Sequence, residues 1–71
     1  MNNNKNRKAE RLLTAGDTFI FNGEVGTFVC WSGPSFIGVG GSLRRQAVVS
    51  TPDNLGGVRW SLNMAGSVEL V

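Results

Sequence analysis

Between Thr18 and Trp31 the chain reads TFIFNGEVGTFVCW, and no other stretch limits the fold so tightly. Phe19 and Phe21 sit two residues apart, so in an extended strand they share one face while Thr18, Ile20 and Asn22 take the other. Asn22, Gly23 and Glu24 interrupt this run with residues that tolerate turn geometry, and Gly26–Trp31 is again largely β-branched or aromatic. These residues predict an antiparallel hairpin.

The remaining segments extend the same pattern. Leu43–Ser50, with Ala47, Val48 and Val49, predicts a third strand. Thr51–Gly57 is a turn by its chemistry, since Pro52 presets φ, Asp53 and Asn54 bond nearby backbone, and Gly56 and Gly57 accept positive φ. Val58, Trp60 and Leu62 then alternate with Arg59 and Ser61, which places Trp60 in the core. Asn63–Gly66 predicts a short turn or 3₁₀ step before a last strand, Ser67–Val71, with Val68 and Leu70 inward and Glu69 outward. Ser32–Ser42, SGPSFIGVGGS, predicts a flexible or bulged loop. Its glycines Gly38, Gly40 and Gly41 lack the strand, turn and long helix of a nucleotide-binding fingerprint. The sum is an all-β fold of about five antiparallel strands, as a small barrel or a strongly bent sheet.

Seventy-one residues suit one domain, expected over residues 12–71, and a chain this small buries only about 60% of its unfolded surface. The charge is unevenly spread. Lys5, Arg7, Lys8 and Arg11 face only Glu10 within residues 1–11, giving +3, while residues 12–71 carry −1. This predicts a flexible basic tail over 1–11 ahead of a nearly neutral body. The tail reads either as a solvated terminus or as an arm that orders on nucleic acid, and Lys8–Leu13 as a short helical turn into the body.

One cysteine excludes an internal disulfide, and with no histidine there is no zinc set, so neither metal nor cofactor is expected. No apolar run reaches the roughly 18 residues of a membrane helix, and no secretory signal fits, so a soluble protein of the reducing cytoplasm is expected. The five acids are scattered with no dyad spacing, and the serines lack a base. Cys30, between Val29 and Trp31 in a strand, reads as a buried inert thiol. No catalytic residue emerges, and binding is the expected class.

Gly16, Asp17, Phe19, Phe21, Gly23, Gly26, Phe28 and Val29 together resemble the Gly-Asp-x-Val-x-Val, Gly-x-x-Gly-x-Val signature that opens KOW-type SH3-like barrels. These are the small barrels of transcription elongation factors and some ribosomal proteins. The match covers about a quarter of the chain. Phenylalanines stand where the family usually has aliphatic residues, and the family's basic loop residues are not matched between Asn22 and Gly26. The resemblance implies an SH3-like barrel in which Phe28 and Cys30 face inward and Trp31 faces outward.

The expected contact residues follow from charge and aromaticity. Lys5, Arg7, Lys8, Arg11, Arg44 and Arg45 are candidates for nucleic acid, and Trp31, Phe36, Ile37 and Arg59 for a protein partner. Alternatives stand beside each. Phe36 and Ile37 either cap the core or meet a partner, Trp31 either docks or packs under the Ser32–Ser42 loop, and the arginines either pair with Asp17 or Glu24 or face a ligand. Neutral body, basic tail and KOW-like hairpin together lead to the expectation of a small non-enzymatic regulator. It would dock on a nucleic-acid machine, with RNA polymerase the expected one, and affect pausing, termination or antitermination; its size would suit a phage protein. The alternatives are a protein–protein module, an inhibitor or small structural subunit, without nucleic-acid contact, and an autonomous nucleic-acid binder.

Overall fold

The computed structural model describes residues 6–71, so Lys5 lies outside the described residues. Six antiparallel strands form one sheet: β1 (Arg7–Ala9), β2 (Thr18–Phe21), β3 (Glu24–Ile37), β4 (Leu43–Thr51), β5 (Asn54–Asn63) and β6 (Ser67–Leu70). Their spatial order is β1-β6-β2-β3-β4-β5. The two end strands, β1 and β5, do not pair with each other, so the sheet is bent and open rather than a closed barrel.

The β2–β3 hairpin forms as its residues dictate. Phe21 pairs with Glu24, which leaves Asn22 and Gly23 as a two-residue loop with φ of 51° and 81°. Both central positions of a type I′ turn need positive φ, and Asn-Gly satisfies that at least cost. Just upstream, the Gly16–Asp17 corner bonds into β3. Gly16 N donates to Phe28 O at 3.0 Å and Phe28 N to Asp17 O at 2.7 Å.

One face of the sheet holds the core: Leu13, Phe19, Phe28, Ala47, Val49, Leu62 and Val68, with Phe21, Trp31, Trp60 and Leu70 packed around it. Trp60 meets Phe19 edge-on at 5.8 Å and Phe21 at 5.5 Å. Gly26 makes room for this indole, since a Cβ there would stand 2.8 Å from Trp60 Cη2 and also strike Val49.

Several expectations are corrected. The first concerns residues 7–11 of the expected flexible tail. Arg7–Ala9 pairs with β6 from Arg7↔Glu69 to Ala9↔Ser67, and Glu10–Leu12 is a 3₁₀ turn whose Glu10 is buried. Strand β6 otherwise exposes an edge, and pairing with Arg7–Ala9 satisfies its backbone groups. The second concerns β3. Register slips between Phe28↔Val49 and Cys30↔Val48, so Val29 is an extra residue on β3. Such a bulge reverses which face the following side chains take. Trp31 therefore turns inward, opposite the fully buried Ala47 and 5.0 Å from the Phe28 ring, while Cys30 is exposed.

Two loops are also shorter than expected. Strand β3 continues through most of the glycine-rich stretch to Ile37, with a second slip between Ser32 and Phe36, and only a 3₁₀ turn at Val39–Gly41 separates it from β4. The β4–β5 turn narrows to Pro52–Asp53, and the extra residues around Gly57, at φ 103°, become a bulge in β5. The expected turn before the last strand is present, closed by Gly66 N on Asn63 O at 3.0 Å.

Candidate functional site

The outer ends of β3 and β4 form a hairpin arm, with β4 still flanked by β5 up to Arg44↔Asn63 and Met64 N on Leu43 O. Phe36 pairs with Arg44 and Ile37 with Leu43, and the tip is held by Gly38 N on Ser42 O at 2.7 Å and Gly41 N on Gly38 O at 3.1 Å. Gly40 and Gly41 take φ of 79° and 82°, which the tight reversal requires. Phe36 on the outer side, Ile37 (67% exposed) and Leu43 on the other, and fully exposed Val39 in the turn all lie at this tip. Phe36 and Ile37 thus do not cap the core. Apolar side chains gathered at one protruding end differ from the singly scattered ones that need no explanation.

The arm is also cationic. From Val25 to Pro52 the sequence contains Arg44 and Arg45 and no acid. Being adjacent on a strand, the two take opposite faces. Arg45 lies on the core side with its guanidinium 5.2 Å from the Trp31 ring centre, and its Nε donates to Gly33 O at 2.7 Å. Arg44 lies on the outer side. Its Nε donates to Ser61 Oγ at 3.0 Å and its Nη2 to Ser61 O at 2.7 Å. The expected pairing of either arginine with Asp17 or Glu24 is replaced by these contacts.

The outer face of β3–β5 carries no core. Cross-strand partners share a face, so the register sets out three rows: Phe36, Arg44 and Asn63; Ser32, Gln46 and Ser61; Cys30, Val48 and Arg59. Gln46, Arg59, Phe36 and Cys30 are exposed there. No carboxylate belongs to these rows.

The basic residues of the first strand are held within the fold. Arg7 donates from Nη2 to Ser67 O at 2.8 Å, and from Nε and Nη2 to Ser67 Oγ at 3.2 and 3.1 Å. Lys8 Nζ lies 2.7 Å from Asp17 Oδ2, which also accepts the Thr14 N–H at 3.0 Å. The Lys8 hydrogen bond, then the Thr14 N–H, hold the Asp17 carboxyl below its ordinary value. Arg11 is exposed on the 3₁₀ turn.

Glu10 joins the two ends of the sheet. Its backbone N donates to Gly66 O at 3.0 Å, and its Oε1 accepts the Asn63 N–H at 2.8 Å. Burial pushes this carboxyl up, opposed by the Asn63 N–H and by the charges of Arg44 and Arg7. A Cβ at Gly66 would stand 2.6 Å from Glu10 Oε2, so glycine there admits the carboxylate. Nothing in the sequence marked Glu10, because its role depends on a contact 53 residues away.

Among the described residues there is no pocket, no group of three His, Cys, Asp or Glu placed to hold a metal, and no helix long and apolar enough to cross a membrane. Two surface features stand out among the described residues, the apolar arm tip and the largely polar outer face. No protein-family model, curated protein or solved structure matches this chain.

Proposed function

We propose that this protein is a non-enzymatic docking module that seats its β3–β4 arm in a protein partner. The carrying observation is the arm tip, where Phe36, Ile37, Val39 and Leu43 are exposed together. With Arg44 and Arg45 behind it and no acid along either arm strand beyond Glu24, the tip suits an apolar pocket rimmed by carboxylates. The partner proposed is RNA polymerase, and the activity is regulation of transcription in the cytoplasm. Support for that choice is the KOW-like run from Gly16 to Val29.

The test uses purified RNA polymerase and the tagged protein. Wild type should bind and alter pausing or termination on a defined template, and an Ile37→Ser/Val39→Ser variant should do neither. No binding of polymerase by wild type removes the transcription reading, and equal binding by the variant removes the arm.

A second reading, a protein–protein module without nucleic-acid contact, is favoured by the satisfaction of Arg7 and Lys8 on Ser67 and Asp17. It predicts that partner binding is indifferent to added oligonucleotide.

A further inference from the structure

We infer that the outer face of β3–β5 is a binding surface for single-stranded nucleic acid, which meets the arm tip at Phe36 and is separate from the first strand. Three properties of that face carry the inference.

It is bare, since every core residue lies on the opposite side of the sheet. Its rows hold Arg44 and Arg59 with Gln46, Asn63, Ser32 and Ser61 and no acid, the nearest carboxylate being buried Glu10, which meets Asn63 N–H at one edge and feels the charge of Arg44. It also has an exposed aromatic ring, Phe36, directly across from Arg44.

A sheet surface combining a ring, guanidinium groups and amide or hydroxyl side chains matches what single strands need. Bases stack on the ring, arginines meet phosphates, and the amides bond base edges. Arg44 is fixed for this role. Its Nε and Nη2 are spent on Ser61, so its plane is set and Nη1 points away from those bonds. Arg59 sits two rows away, beside Val48, and is exposed. A strand laid across the rows would cross β3, β4 and β5 in turn, with Phe36 at one end and Arg59 at the other. Duplex is disfavoured, because its bases are stacked inside and withheld from Phe36.

The inference goes beyond the docking reading and can fail independently of it, because the isolated full-length chain is the reagent. Fluorescence anisotropy with labelled oligouridine and oligothymidine of about twelve nucleotides, at about 50 mM salt and then at rising salt, reads the binding. Wild type should bind, Phe36→Ala should weaken binding about tenfold, and Arg59→Gln should reduce the salt slope by about 0.7. Arg59 and Gln46 are exposed, so Arg59→Gln and Gln46→Ala decide the matter if Phe36→Ala loses its fold by circular dichroism. The arm variant Ile37→Ser/Val39→Ser should bind like wild type. Absence of binding at low salt overturns the inference and leaves the face to a protein. Binding that survives the face variants but is lost in Lys5→Gln/Arg11→Gln overturns it too.

Discussion

The Glu10 carboxylate, 4% exposed, accepts the backbone N–H of Asn63 at 2.8 Å and so bridges the open ends of the sheet. Just past β5, Met64 N bonds back to Leu43 O, so Asn63 N points the other way, toward the unpaired edge. Ser61 O shares that direction and is met by Arg44 Nη2. Side chains thus stand where a seventh strand would otherwise bond, which is how an edge is kept from pairing with another chain.

Glu10→Ala removes the acceptor for a partly buried N–H and should cost about 1–3 kcal/mol in urea denaturation. Glu10→Gln keeps an acceptor oxygen and should cost less. Equal losses in the two variants would show that the Asn63 bond is not what matters.

The pH dependence of stability carries two opposite contributions. Glu10 is raised in the fold, so its contribution is fully present below its ordinary value and is lost as pH rises through the raised one. Asp17 is lowered, so its contribution is present above its ordinary value and is lost as pH falls through the lowered one. Denaturation midpoints should therefore show Glu10→Gln gaining on wild type as pH rises across the acid range. Asp17→Asn should lose ground over the same rise.

Gly26→Ala should destabilise by about 1–3 kcal/mol, because the new methyl meets both Val49 and Trp60 in a filled core. Thermal unfolding checks this, with a change below about 0.5 kcal/mol counting against the packing described.

Trp31→Ala should destabilise the fold by about 2 kcal/mol or more, since it empties space beside Phe28 and Ala47. Cys30→Ser next to it should stay within about 0.5 kcal/mol, and the native thiol should react promptly with a maleimide. A protected thiol would place the bulge elsewhere.

The arm variant Ile37→Ser/Val39→Ser should leave the denaturation midpoint nearly unchanged, within about 0.5 kcal/mol, because both side chains face solvent. A large loss would make the arm part of the core.

What could be read from the sequence was whatever depends on neighbours. Phe19 and Phe21 alternating around Asn22-Gly23 suffice for the first hairpin, and Val58, Trp60 and Leu62 for the inner side of β5. What could not be read depends on distant pairing. Arg7–Ala9 is short and charged and becomes a strand only because β6 offers it an edge. The slip at Val29 leaves no mark in composition, yet it turns Trp31 inward and Cys30 outward, against the strict alternation from which they were assigned. The contact residues divide the same way. Phe36 and Ile37 are exposed at the arm tip, whereas Arg45 is engaged by Gly33 and Trp31, contacts that no local pattern marks.

The extra residue in β3 also gives the protein two adjacent reporters on opposite sides of one strand. A dye on Cys30 looks outward, and the Trp31 indole looks inward to Phe28. An approaching ligand on the outer side would change the dye and leave the emission of the two inward-facing indoles, Trp31 and Trp60, alone, while loss of the fold would change both signals. The same molecule can therefore tell occupancy from unfolding in a single titration.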